Sequence, residues 1–137
     1  MFHKATHESN ESRPERILLV EDNAAAGQGL TRLLEAKGYA VTAVSDGQSA
    51  LRELAQEPPP DFLLTDMQLP DLDGRELARH ASRLVPPPRV VLITGWDLEP
   101  LHGEQSDWGI DVVLTKPLDM QELLKSLTAP PPLGGVA

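Results

Sequence analysis

The chain has 137 residues, with 12 Lys and Arg against 21 Asp and Glu, a formal net charge of −9, and no cysteine. That length suits one domain, and a hydrophobic fraction of 40% supports one packed core. The acidic balance repels phosphate backbones and anionic lipid, so neither nucleic acid nor a membrane surface is an expected partner. The lack of cysteine removes disulfide and thiolate chemistry and suits a cytoplasmic protein.

Residues 1–14 are polar, mixed in charge and without the apolar middle of a secretory signal. They are expected to form a disordered N-terminal tail, and His3 and His7 are read as tail residues. A first strand is expected over residues 17–20 (ILLV), running directly into Glu21 and Asp22. Leu30, Leu33 and Leu34 then share one face of a helix over residues 24–37, which Gly38 stops. A second strand over residues 40–44 (AVTAV) leads to a helix over residues 48–56, built on Ala50, Leu51, Leu54 and Ala55.

The third strand, residues 62–65 (FLLT), ends on Asp66 and is followed by a turn through Pro70 and Gly74. Leu77, Ala81 and Leu84 repeat with helical spacing over residues 74–85, and a fourth strand follows at residues 90–94 (VVLIT). Residues 96–109 contain Pro100 and Gly103 among scattered leucines, so the fourth helix is expected to be weak or irregular. A short strand at residues 112–114 (VVL) precedes Thr115-Lys116-Pro117. The last helix spans residues 119–128 on Met120, Leu123, Leu124 and Leu127.

Proline triplets at residues 58–60, 86–88 and 130–132 each follow a helical pattern and are read as helix stops rather than as polyproline ligands. The last opens a Pro/Gly-rich tail or linker over residues 130–137, which leaves residues 15–129 as the folded domain. No apolar run approaches the length that crosses a bilayer. Strand and helix alternate throughout, and three strands are nearly continuous apolar runs of the kind buried on both faces. The pattern gives an α/β, doubly wound parallel sheet.

In such sheets, sites form outside the carboxyl ends of the strands. The residues delivered to that edge are Glu21 and Asp22 after the first strand, Asp66 after the third, Thr94 at the end of the fourth and Lys116 after the fifth. Close carboxylates repel one another unless protonated or joined by a cation. Hard oxygen donors suit Mg²⁺. Asp66 could serve as a ligand with one oxygen and as a nucleophile toward phosphorus with the other, while Lys116 and the Thr94 hydroxyl offset the charge of a phosphoryl group.

At this point the chain resembles the receiver domain of two-component response regulators. The resemblance rests on "ILLVEDN" (residues 17–23), "LLTDMQLPDLDG" (63–74), "VVLITG" (90–95) and "LTKPL" (114–118), found in the family's order and at about its spacing. It implies a five-stranded parallel sheet alternating with five helices, a flavodoxin-like (βα)5 receiver. It implies that Asp66 accepts a phosphoryl group from a histidine kinase or histidine phosphotransfer protein. It further implies that Glu21 and Asp22 are the acidic pair for Mg²⁺ (or Mn²⁺), with Glu21 acting through water. The Gln68 carbonyl is the backbone metal ligand, Thr94 the switch hydroxyl, Lys116 the phosphate-binding lysine, and Lys116–Pro117 a cis peptide.

The expected product is a monomeric or weakly dimeric switch or relay module, either free-standing or part of a hybrid histidine kinase. It would have no enzymatic activity beyond its own phosphorylation and dephosphorylation. One departure stands out. The family carries an aromatic residue three positions before the lysine, and this chain has Val113, so coupling between Thr94 and an inward-turning ring has no ring to use. A phosphatase with an aspartate nucleophile is the competing enzyme reading, but its usual second acid, two residues on, is here Gln68. A phosphate-independent interaction module is opposed by the intact set of Asp22, Asp66, Thr94 and Lys116. Asp71 and Asp73 are read as a turn and the cap of the third helix. His80 and His102 are read as surface residues, and Trp96 is placed near the site.

Overall fold

Val, Ile and Leu fill both faces of the three middle strands, and a strand of that kind is stable only with helices on either side. The computed structural model, which describes residues 13–95 and 105–128, has this arrangement. In chain order the elements are β1 (Arg16–Val20), α1 (Ala24–Ala36), β2 (Ala40–Val44), α2 (Gly47–Leu54), β3 (Phe62–Asp66), α3 (Gly74–Ser82), β4 (Arg89–Thr94), α4 (Gln105–Trp108), β5 (Val112–Thr115) and α5 (Met120–Thr128). All pairings are parallel, in the order β2-β1-β3-β4-β5. Most of the expected N-terminal tail, Trp96, His102 and the C-terminal Pro/Gly stretch lie outside the described residues.

The period of two along each strand divides the core into two layers. Leu18, Val20, Leu63, Val90 and Leu92 point to one face, where Ala50 and Leu54 of α2 and Leu77, Ala78 and Ala81 of α3 cover them. Ile17, Leu19, Leu64, Val91 and Ile93 point to the other, against Leu34 of α1 and Leu123 and Leu127 of α5. Every residue of β3 is buried, whereas the edge strand β2 is only partly so. This difference follows the sequence, in which β3 reads FLLTD and β2 reads AVTAV.

Four helices start on an Asn or Asp whose side chain accepts first-turn N–H groups: Asn23 for α1, Asp46 for α2, Asp73 for α3 and Asp119 for α5. Gly38, at φ +100°, ends α1 as expected. The proline triplets are not themselves the helix ends. Helices α2 and α3 stop at caps Ala55 and Arg83, several residues earlier, and the prolines shape the connections that follow. The Arg16 guanidinium bonds the carbonyls of Pro58 and Pro59 and so secures one of these connections beneath the sheet.

Within the described residues α4 is a single turn, in keeping with the weak fourth helix expected. Its Trp108 packs against two arginines of α3, with Arg79 4.0 Å and Arg75 5.2 Å from the ring centroid. Aromatic packing and two cation–π contacts therefore do here what helical propensity does not.

Two glycine replacements test this account in opposite directions. Gly29 sits on the exposed face of α1, and an added Cβ meets nothing within 4 Å. Gly29→Ala should raise stability by about 1 kcal/mol through helix propensity alone. Gly74 lies against the Asp66 backbone, where a Cβ would overlap the carbonyl oxygen. Gly74→Ala should lower stability by about 3 kcal/mol. Urea unfolding midpoints of the two variants against the parent check both signs.

Candidate functional site

Strand register decides which side chains meet. Val20 is level with Thr65, so the next residues, Glu21 and Asp66, leave β1 and β3 side by side. Asp66 pairs with Ile93, and Thr94 pairs with Thr115, which places Thr94 and Lys116 at the same edge. Three backbone bonds extend the ladder beyond the strands and hold this edge. Glu21 N–H donates to Val44 O (3.0 Å), Met67 N–H to Ile93 O (2.8 Å), and Lys116 N–H to Thr94 O (2.9 Å). The site lies where the strand order reverses, between β1 and β3, the switch point of a doubly wound sheet.

The carboxylates of Glu21, Asp22 and Asp66 offer ligand atoms that all lie within 4.8 Å of one another. Asp66 and Glu21 are buried and Asp22 is exposed. Lys116 Nζ stands 3.3 Å from Asp66 Oδ1 and 3.7 Å from Glu21 Oε1. Glu21 Oε2 also accepts the Asn23 N–H at 3.0 Å, which fixes its side chain. A cleft of about 440 Å³ opens over the group, lined by Asp22, Asp66, Gln68, Thr94, Gly95 and Lys116 among others. All six residues singled out from the sequence, namely Glu21, Asp22, Asp66, Gln68, Thr94 and Lys116, are therefore brought together at one edge. The Lys116–Pro117 peptide is cis, as the resemblance implied.

Burial pushes the Asp66 carboxyl up to about 7. The neighbouring Glu21 adds to the rise and Lys116 opposes it. Desolvation pulls the Lys116 ammonium down, but the charges of Asp66 and Glu21 outweigh it and hold the group above its ordinary value. Asp66 Oδ1 is buried and makes no hydrogen bond, although the lysine is near. A buried carboxylate oxygen without a hydrogen-bond donor, beside two further carboxylates, is a donor set that fits a hard divalent cation. The arrangement can hold such an ion, offset the charge of an incoming anion with Lys116, and present a carboxylate oxygen to it.

Sequence reasoning missed two features near this edge. Asp71, read as a turn residue, instead accepts hydrogen bonds from Gly47 N–H (2.7 Å) and Gln48 N–H (2.9 Å) at the start of α2. Those residues are 24 and 23 positions away, a pairing that no local pattern announces. The stacking of Arg75 and Arg79 on Trp108 likewise needs the fold to bring α3 and α4 together. Asp73 caps α3 as expected and is also paired with Arg75 at 2.7 Å.

A parallel sheet of this order, with an acidic cluster and a lysine at its switch point, defines the receiver class of signalling domain. Comparison with known proteins agrees: the response regulator receiver domain family matches residues 17–128, and the chain belongs to that family. The response regulator receiver protein CpdR of Brucella abortus is 38% identical over 112 residues, 82% of this chain and 92% of CpdR. The response regulator MprA of Mycobacterium leprae is 34% identical over 114 residues, 83% of this chain; the chain spans only 50% of MprA.

Among solved structures, a CheY-like receiver domain protein of Methanospirillum hungatei aligns with a TM-score of 0.77 at 27% identity, over 84% of this chain and 91% of that one. A response regulator of Burkholderia pseudomallei, with a phosphorylated aspartic acid, a calcium ion and citrate, aligns with a TM-score of 0.75 at 28% identity, over 84% of this chain and 67% of that one. This protein is thus a receiver domain of two-component signal transduction. No helix among the described residues is long and apolar enough to cross a membrane.

The raised value at Asp66 has a consequence for stability in metal-free protein. The folded state binds the Asp66 proton more tightly than the unfolded chain does. The resulting stabilisation is complete below the ordinary carboxylate range and is lost as pH rises through about 7. With chelator present, the melting temperature should therefore fall between about pH 5 and about pH 8, and Asp66→Asn should flatten that slope. Thermal unfolding of both proteins across this range checks it.

Proposed function

We propose that Asp66 is the phosphoacceptor of a two-component phosphorelay, taking a phosphoryl group from the phosphohistidine of a histidine kinase or histidine phosphotransfer protein. The observation that carries this reading is the buried Asp66 carboxylate, with its Oδ1 lacking a hydrogen bond and Lys116 Nζ 3.3 Å away, at the floor of an acidic cleft. A carboxylate oxygen of Asp66 attacks phosphorus, the P–O bond forms, the P–N bond to the donor imidazole breaks, and the imidazole leaves with a proton. Lys116 pairs with an oxygen of the transferred group, and Thr94, at the cleft wall, donates its hydroxyl to another.

Asp22, Asp66 and the Gln68 carbonyl would hold Mg²⁺ (or Mn²⁺), with Glu21 supporting them. The ion, when bound, supplies positive charge to the transferring phosphoryl group. This chemistry is the same whether residues 15–129 work in a free-standing regulator or as one domain of a hybrid histidine kinase. Gln68, standing where an aspartate-nucleophile phosphatase has its second acid, leaves the acyl phosphate without that enzyme's proton donor. The domain accordingly stores or relays the group rather than turning over phosphomonoesters. It works as a cytoplasmic signalling module toward protein partners, as a monomer or weak dimer.

With Mg²⁺ and acetyl phosphate, the protein should gain one phosphoryl group in a linkage labile to alkali and hydroxylamine. Asp66→Asn should gain none. Lys116→Ala should slow labelling by about 100-fold, the usual effect of removing one group that stabilises the charge of the transition state. Intact-mass spectrometry over time gives all three results, and wild-type labelling of Asp66→Asn would refute the assignment.

A further inference from the structure

The loop that carries Gln68 is fastened at its stem by an antiparallel bridge between Gln68 and Asp73 and by Gly74 N–H donating to Met67 O at 2.7 Å. Gln68 stands at the edge of this stem, and the tip, residues 69–72, lies beyond it. The tip is held by Asp71. Its two oxygens each accept one N–H of the first turn of α2, Gly47 to Oδ1 at 2.7 Å and Gln48 to Oδ2 at 2.9 Å. These bonds hold the Asp71 carboxyl below the usual carboxylate range. The next donor of that turn, Ser49 N–H, goes to Asp46 Oδ1 at 2.7 Å, so the first turn of α2 is satisfied partly by its own cap and partly by a loop 23 residues away.

The contact has an apolar half as well. Leu72 fills the space where residue 47 would place a Cβ, and only glycine fits there. The element before α2 is tied to the same site, since Glu21 N–H donates to Val44 O at the end of β2.

We propose that Asp71 is a positioning residue for the cation seat. Its bidentate grip on the N-terminus of α2 fixes the loop of residues 67–73 and with it the Gln68 carbonyl. This role rests on the reading of the site given above, in which that carbonyl is a metal ligand. Carboxylate chemistry is required, because two N–H donors must be met by two separate oxygens of one side chain. The charge also faces the positive end of a helix. Groups that orient metal ligands in this way affect affinity without touching the ion.

The test is Mn²⁺ binding to the full chain, measured by calorimetry for wild type, Asp71→Ala and Asp46→Ala. The two variants each remove one carboxylate from the same helix end, and only Asp71 belongs to the Gln68 loop. Asp71→Ala should weaken Mn²⁺ by about 10-fold, the low end for lost support of a metal ligand, and Asp46→Ala should bind as wild type while losing thermal stability. Equal weakening in both variants, or none in Asp71→Ala, overturns the positioning role alone. A wild-type protein that binds no Mn²⁺ overturns the underlying reading with it.

Should Asp71→Ala fail to fold, Asp71→Asn keeps the size and one acceptor. It should show a smaller loss of affinity, and full wild-type affinity there counts against the role. Amide resonances give a second readout. Mg²⁺ should shift Gly47 and Gln48 in wild type and leave them unmoved in Asp71→Asn, while unmoved resonances in wild type overturn the proposal.

Discussion

Parallel strands deliver all their carboxyl ends to one edge, and the chemistry of this domain depends on that alignment. Three carboxylates and one ammonium arrive there from β1, β3 and β5, which are distant in the chain. In a flexible polymer the carboxylates would relax by moving apart. Here they cannot, because Glu21, Met67 and Lys116 each donate a backbone N–H to the neighbouring strand just beyond the regular pairing. Burial, with the neighbouring Glu21 adding to it, gives Asp66 a tendency to hold a proton, and the crowded carboxylates favour whatever positive charge can enter. Lys116 meets part of the demand from within the chain. A single ammonium against three carboxylates leaves room for a second cation.

Much of this was legible before any coordinates. The central strands are apolar without alternation because both faces are covered, and the residue after such a run is forced to the sheet edge. Asp66 after FLLT and Glu21-Asp22 after ILLV could be read off directly for that reason. What stayed hidden was pairing across the fold. Asp71 sits in a stretch rich in turn formers, and nothing near it shows that its carboxylate serves Gly47 and Gln48. The ends of α2 and α3 were also read too far, at residues 56 and 85. Prolines looked like the stops when the chain had already left the helix at Ala55 and Arg83. Trp108 illustrates a third limit, since its place is set by two arginines of another helix rather than by any period of its own segment.

Val113 changes the inner side of β5. It is half-buried against the layer formed by α2 and α3, the same layer that Trp108 joins from α4. A valine in that position has no bulk to swing and no hydroxyl to bond, so it acts on its surroundings only by packing. Thr94 itself is almost fully buried, at 2% exposure. The backbone bond from Lys116 N–H to Thr94 O joins the ends of β4 and β5.

One helix cap accords with the same electrostatic constraint. Helices α1, α2, α3 and α5 all begin at the edge that holds the site, because every strand in the parallel sheet ends there. Each needs a side-chain acceptor for its first turn, and Asn, Asp and Ser serve about equally well. Three of the four use Asp: residues 46, 73 and 119. The exception is α1, whose cap is Asn23, directly after Glu21 and Asp22. Aspartate there would cap the helix equally well and add a fourth carboxylate beside three that already repel one another. The neutral amide bonds Ala26 N–H at 2.9 Å and contributes no charge. At this one helix start, the cap keeps its hydrogen bond while the acidic cluster keeps its count.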